Sequence, residues 1–198
     1  MTIAKIGLDI SINSTGVSFI LDGDEQIVKF FQIVPVASAH SASIQQLTYQ
    51  RDWSKGNYSQ EDLAKVNSAF SLSSKISQLL TKLKESYKVD AFDVRIEGSI
   101  MSQGFKKQQA RVNDLTVFNG TVKLMLLKNE LVQTITVVSP GALKKIATGK
   151  GTAKKEQIVK CFLVEFPEFV NVGKTDDIAD AYYLAKSPYN SKLAYSKQ

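Results

Sequence analysis

The sequence predicts one α/β domain with a mixed five-stranded sheet and helices on both faces, and two observations carry that expectation. Three strand-like apolar runs, at 3–10, 16–21 and 25–34, come before any helical periodicity. From residue 60 onward, helical and strand-like segments alternate. A chain of 198 residues with 43% hydrophobic and 22% charged residues is long enough to bury a substantial core in one unit. We expect that unit to span residues 1–188, with a polar insertion at 36–58 and a basic, frayed tail at 189–198.

Each element has a local reason. "KIGLDI" and "GVSFIL" read as the first two strands, and Asp22-Gly23 turns the chain into a third, "EQIVKFFQIV", halted by Pro35. Residues 36–58 are polar and weakly periodic, and we read them as a loop or short helical excursion with the lone His40 on the surface. Leu63, Val66, Phe70, Ile76, Leu79, Leu80, Leu83 and Tyr87 recur mostly at helical spacing over 60–88. "FDVRIEGSI" (92–100) is a strand, 107–129 a long helix, and "TITVVS" (134–139) a strand stopped by Pro140. Short helices at 141–147 and 153–165 flank the turn "TGKGTAKKE". The last helix runs from Thr175, read as its N-cap, to Lys186.

Composition narrows the function classes. No apolar run reaches the length of a membrane span, and the opening residues lack a signal-peptide layout. The single cysteine, Cys161, excludes an internal disulfide and suits a reducing compartment, so a cytoplasmic setting is expected. The net charge is +6, but residues 101–160 hold eleven Lys/Arg against three Asp/Glu, a local balance of +8. The remainder is slightly acidic. A basic excess confined to one third of the chain favours a polyanionic partner, nucleic acid ahead of a membrane surface.

Against that basic background, three apolar segments carry carboxylates. Asp9 interrupts the first strand, Glu97 sits near the end of a later one, and "TDDIADAYYLA" brings Asp176, Asp177 and Asp180 to one helix start. Asp177 and Asp180, three residues apart, share a helix face. Converging carboxylates repel one another and are driven toward protonation unless cations neutralise them. Oxygen-only ligands without a His or Cys cluster point to Mg²⁺ or Mn²⁺, not zinc.

These segments resemble a known family. "GLDISINSTGVSF" is similar to the first strand and turn of RuvC-type Holliday junction resolvases, "RIEGSI" to their second acidic strand and "DDIADAYYLA" to their C-terminal acidic helix. "SPGALKKIATGKGTAKKEQIV" resembles the basic, glycine-bearing stretch before that helix. The four segments follow the family's order from about residue 3 to 186. The resemblance implies a ribonuclease H-like fold, a homodimer, and nicking of paired strands at four-way DNA junctions with two Mg²⁺ per site, Mn²⁺ substituting.

Carried onto this sequence, the resemblance makes Asp9, Glu97, Asp177 and Asp180 the metal-binding and catalytic carboxylates. Asp176 is left as a neighbour or substitute ligand. Lys154 is the candidate for neutralising charge on the reacting phosphate, with Lys150 and Lys155 beside it on the turn and helix start. Lys106, Lys107 and Arg111 extend the DNA-facing surface. The family places an apolar junction-probing residue after the second acid, where this chain has Ile100, Met101 and, a little later, Phe105. The 36–58 stretch departs from compact bacterial members. A Lys-rich chain with only three arginines, Arg51, Arg95 and Arg111, also fits a phage or viral member acting in its host's cytoplasm. Three other readings stand beside this one. The first is a ribonuclease H-like nuclease for flaps, other branched DNA or RNA–DNA hybrid. The second is a non-catalytic DNA-binding module, which presence of all four acids disfavours. The third is an actin-like kinase, which needs a second such domain and a second phosphate loop. No organic cofactor or membrane partner is expected.

Overall fold

The first strand, β1 (Ile3–Asp9), sends alternate side chains to opposite faces of the sheet. Ala4, Ile6 and Leu8 are fully buried on one face, and Lys5, Gly7 and Asp9 occupy the other. In the computed structural model, which describes residues 1–36, 44–51, 58–98, 109–189 and 194–196, β1 lies at the centre of the sheet. It pairs antiparallel with β2 (Thr15–Leu21) and parallel with β5 (Ala91–Glu97). β3 (Ile27–Pro35) adds antiparallel to β2, and β6 (Val132–Val138) adds parallel to β5.

These five strands are the expected ones, but the sheet among the described residues has seven, ordered β4-β3-β2-β1-β5-β6-β7. β4 (Gln45–Tyr49) lies inside the 36–58 stretch, where we expected loop or helix, and runs parallel to β3. It is a five-residue edge strand secured by Gln46 Nε2, which donates to Gln32 Oε1 (2.9 Å), and by the Tyr49 hydroxyl, which donates to the Ile12 carbonyl. β7 (Ala194–Ser196) lies in the tail expected to fray and pairs antiparallel with β6. Residues 37–43, with His40, lie outside the described residues.

Two helices cover one face. On α1 (Tyr58–Tyr87), Leu72, Ile76, Leu80 and Leu83 point inward; on α2 (Gln109–Lys128), Phe118, Val122 and Leu126 do so at four-residue intervals. Together with Ile6, Leu8, Phe19, Phe92, Val94 and Ile96 they form the larger core. The other face carries α3 (Pro140–Thr148), α4 (Lys155–Glu165) and α5 (Thr175–Lys186). α3 follows its sequence closely. Ser139 Oγ accepts from the Ala142 N–H, Pro140 fills the first turn, and Gly149 ends the helix in the left-handed region at φ 78°.

α4 lies alongside α5 and is fastened to it at the far end. The Glu165 carboxylate accepts from Tyr182 Oη (2.6 Å), Tyr183 Oη (3.0 Å) and Lys186 Nζ (3.2 Å). Beside it, Phe30 meets Phe162, Phe166, Phe169 and Tyr182 edge to face, centroids 5.0–5.9 Å apart. Each such ring pair adds about 0.5–1.5 kcal/mol beyond buried area. A single 3-10 turn (Pro167–Phe169) links the two helices. Thr175 is not the N-cap of α5. That position falls to Lys174 at φ 59°, and the Thr175 hydroxyl donates back to the Val172 carbonyl (2.6 Å). A Thr in the first turn bonds the preceding loop as readily as it caps.

Candidate active site

Asp9 ends β1 and Glu97 ends β5. The parallel register Leu8↔Ile96 sets the two acids side by side on the face that α5 covers. α5 lies close on that face because β1 and β2 place glycines, Gly7 and Gly16, at its points of closest approach. A Cβ at Gly7 would fall 1.8 Å from the Ala181 carbonyl oxygen, and one at Gly16 would fall 2.1 Å from that of Asp177. The helix therefore lies backbone against strand, which brings Asp177 and Asp180 over Asp9. Its far end is held by Arg95, a buried β5 residue that donates to the Ala185 carbonyl (3.0 Å).

The turn after Asp9 also serves this arrangement. Thr15 Oγ1 closes it by donating to the Ser11 carbonyl (3.1 Å). The buried Ser14 hydroxyl bonds the Asp177 carboxylate and accepts from Gln32 Nε2 (3.0 Å). Since Gln32 Oε1 accepts in turn from Gln46, a polar chain runs from the sheet edge to one of the four acids. Arg95, Ser14 and Gln32 were not singled out as site residues in the sequence. For Gln32, mid-strand polarity opposite apolar neighbours was the available signal.

The four carboxylates perturb one another. Burial raises Asp9 well above the ordinary carboxylate range, and Asp180, Asp177 and Glu97 raise it further. Glu97 is raised by burial and then by Asp180. Asp177 and Asp180 are raised chiefly by burial, with Ser14 and Lys155 respectively working against it. Asp180 Oδ1 is buried with no hydrogen-bond partner. Lys155, at the start of α4, reaches in with Nζ 2.9 Å from Asp176 Oδ2 and 3.4 Å from Asp180 Oδ2. Burial opposes its charge, but Asp176, Asp180 and Asp9 outweigh burial and hold the ammonium protonated. No group of three or more His, Cys, Asp or Glu among the described residues is arranged to hold a metal ion. The donor set still suits a hard divalent cation: four carboxylates, mutually repelling, with one orphaned oxygen.

Of the other sequence-predicted residues, Lys150 and Lys154 are exposed on the turn leading into α4. Arg111 lies in the first turn of α2 with its side chain undescribed. Ile100, Met101, Phe105, Lys106 and Lys107 lie outside the described residues.

Stability should report the crowding of charge. A carboxylate whose folded pKa exceeds its unfolded value binds more protons in the folded state, so stability falls as pH rises through that interval. Asp9, Glu97, Asp177 and Asp180 all act in this sense, and Lys155, Lys144 and Lys174 only partly offset them. Asp22, Asp176 and Glu165 act oppositely, their pKa values being lowered. We expect the metal-free melting temperature to fall from weakly acidic to neutral pH, and millimolar Mg²⁺ to restore it at neutral pH. A flat profile that Mg²⁺ does not move would contradict this.

No protein-family model matches the chain, and no curated protein matches it by sequence. Solved structures do match. Thermus thermophilus RuvC in complex with a Holliday junction substrate aligns at 14% identity with a TM-score of 0.52, over 93% of this chain and 91% of that one. The yeast mitochondrial Holliday junction resolvase Ydc2 aligns at 16% identity with a TM-score of 0.50, over 93% and 76%. The fold is ribonuclease H-like. The chain shares that fold with these two proteins.

Proposed function

We propose that this protein is a structure-selective, divalent-metal-dependent DNA endonuclease that resolves four-way junctions by paired nicks. One observation supports the reading: Asp180, Asp177 and Glu97, from two further elements, lie near enough to the partly buried Asp9 for their charges to raise it, an electrostatic cost left in the fold. A fold keeps such a cluster when a cation or substrate compensates it. The basic excess of residues 101–160 supports a nucleic-acid substrate, and both aligned structures are of proteins named as junction resolvases or bound to a junction.

Asp9, Glu97, Asp177 and Asp180 would hold a pair of Mg²⁺ ions, which supply activation of the attacking water and stabilisation of the departing 3′-oxygen. The protein's own part is positional. Ser14 and Gln32 fix the Asp177 carboxylate, and Gly7 and Gly16 fix the height of α5 above the strands. Lys154 and Lys150, exposed on the turn leading into α4, would meet the phosphate backbone and offset its charge without reading sequence. Arg111, Lys106 and Lys107 are further backbone-contact candidates by their place in the sequence. Ile100, Met101 and Phe105 follow the second acid and are the junction-probing candidates.

The deciding experiment compares a synthetic four-way junction with linear duplex, a flap and an RNA–DNA hybrid, with and without Mg²⁺. Paired nicks in the junction alone, only with metal, are expected. Preference for the flap or hybrid would reassign the substrate, and no cleavage of any would reduce the protein to a binding module.

Paired nicks on a two-fold symmetric junction call for two sites, hence a symmetric homodimer. Among the α2 residues surplus to one core stripe, Phe118 is fully buried in the protein's own core and is not available for an interface. Val117 and Leu124, seven residues apart, are exposed, and Met125 is half-buried. Sedimentation at micromolar concentration should show a dimer, and Leu124→Glu should weaken it. A strictly monomeric species, free and junction-bound, refutes the assembly. A folded, fully dimeric Leu124→Glu protein puts the interface elsewhere.

A further inference from the structure

Lys155 does something its neighbours do not. Lys150, Lys154 and Lys155 all stand exposed at the approach to α4, but Lys155 also spans Asp176 and Asp180. Asp176 lies outside the D-x-x-D pair and is partly exposed, so it gives the ammonium a resting place at the rim of the cluster. We propose that Lys155 is a built-in counter-cation for the carboxylate cluster, one that a divalent cation must displace before the site can form. The inference rests on the metal-dependent reading above and assigns this lysine a role distinct from backbone contact.

Three features support displacement over permanent pairing. The one ammonium is shared between Asp176 and Asp180, and a single positive charge cannot balance even these two carboxylates, so the site remains under-neutralised with the lysine in it. Asp180 meets the ammonium through Oδ2 alone, leaving Oδ1 buried and unbonded. The pairing also costs little to break, because the Lys155 side chain is 49% exposed and its partner Asp176 42%. Withdrawal requires only rotation of the side chain. α4 remains seated through Phe162 and the bonds Glu165 makes to Tyr182, Tyr183 and Lys186. A lysine released in this way stands next to the cluster, where the substrate phosphate would arrive. Metal loading and phosphate engagement are thereby linked through one side chain.

The test uses Mn²⁺ and DNA-free protein, so that it does not depend on cleavage. Calorimetric titration of Lys155→Met should show Mn²⁺ binding about three- to tenfold tighter than wild type, the scale of a partly screened ion pair. Lys155→Arg, which keeps the charge, should return close to wild type. Metal-free Lys155→Met should melt below wild type, and saturating Mn²⁺ should close that gap. A wild-type measurement guards against a variant that fails to fold: acylation of Lys155 by an N-hydroxysuccinimide ester, followed by mass spectrometry, should accelerate when Mn²⁺ is added. Equal or weaker Mn²⁺ binding by folded Lys155→Met overturns the counter-cation role while leaving the metal site standing. So does a Lys155 acylation rate that Mn²⁺ leaves unchanged in wild type that binds the metal. Absence of Mn²⁺ binding by either protein overturns the metal reading and the lysine's role with it.

Discussion

Asp9→Asn is expected to abolish junction cleavage while preserving, or strengthening, junction binding without metal. Asp9 is the most strongly perturbed of the four acids, raised first by burial and then by Asp180, Asp177 and Glu97. Asparagine keeps its shape but cannot offer an anionic ligand. The loss in turnover should be on the order of 10³-fold or more, the scale on which a preorganised charge-stabilising group acts. Binding should move the other way, because one negative charge leaves a groove that must accept phosphate while Lys150 and Lys154 remain. Folding supplies an independent readout. Removing a buried charge that its neighbours repel should leave metal-free stability unchanged or raise it, as expected for a residue kept for chemistry. Turnover close to wild type in a folded variant would end the nuclease reading. Lost binding together with an unfolded far-UV spectrum would make Asp9 structural.

What the sequence made legible follows from where the physics is local. An acid within an apolar run of sequence stands out because burying it is costly, so Asp9 and Glu97 could be singled out as candidates without coordinates. Asp177 and Asp180 could be paired by helical spacing alone. The cap, proline and glycine around α3 spell out that helix in nine residues. Nonlocal features were not legible. β4 is Gln-rich and short, and it is a strand only because β3 offers a free edge and Gln32 a partner for Gln46. β7 pairs through its backbone, which leaves no side-chain pattern to read. Val117 and Phe118 are equally apolar neighbours, yet one is exposed and the other fully buried, a difference set by the direction α2 faces. Lys154 and Lys155 are likewise adjacent and both exposed, and that Lys155 reaches Asp176 and Asp180 depends on where α4 lies against α5.

Gly7→Ala and Gly16→Ala should be among the most damaging single-methyl additions in this protein. Neither glycine is needed for a left-handed backbone; among the described glycines only Gly149 has positive φ. On conformational entropy alone, alanine at either position would stabilise by about 0.4–1 kcal/mol. Space reverses the sign. The Gly7 methyl would lie 1.8 Å from the Ala181 carbonyl oxygen and 2.6 Å from the Ala185 nitrogen, and the Gly16 methyl 2.1 Å from the Asp177 carbonyl oxygen. These are backbone atoms of a helix buried along its length, so no side chain can rotate aside, and α5 itself must lift from the sheet. Overpacking of this kind costs about 1–3 kcal/mol where side chains can adjust, and more is expected where they cannot. Gly120→Ala in α2 is the matched control. It sits in an exposed helical interior with nothing within 4 Å of the added methyl, and should stabilise by about 0.5–1 kcal/mol. Urea denaturation of the three variants measures the contrast. The two close-contact glycines should also separate in function: Gly16→Ala displaces the turn that carries Asp177, so at temperatures where the variant stays folded its cleavage should fall further than its stability loss explains. Gly7→Ala presses on α5 at Ala181 and Ala185, past the acids, and should act mainly through stability. If both variants prove as stable as Gly120→Ala, α5 does not lie on the strands as described, and the convergence of Asp9 with Asp177 and Asp180 goes with it.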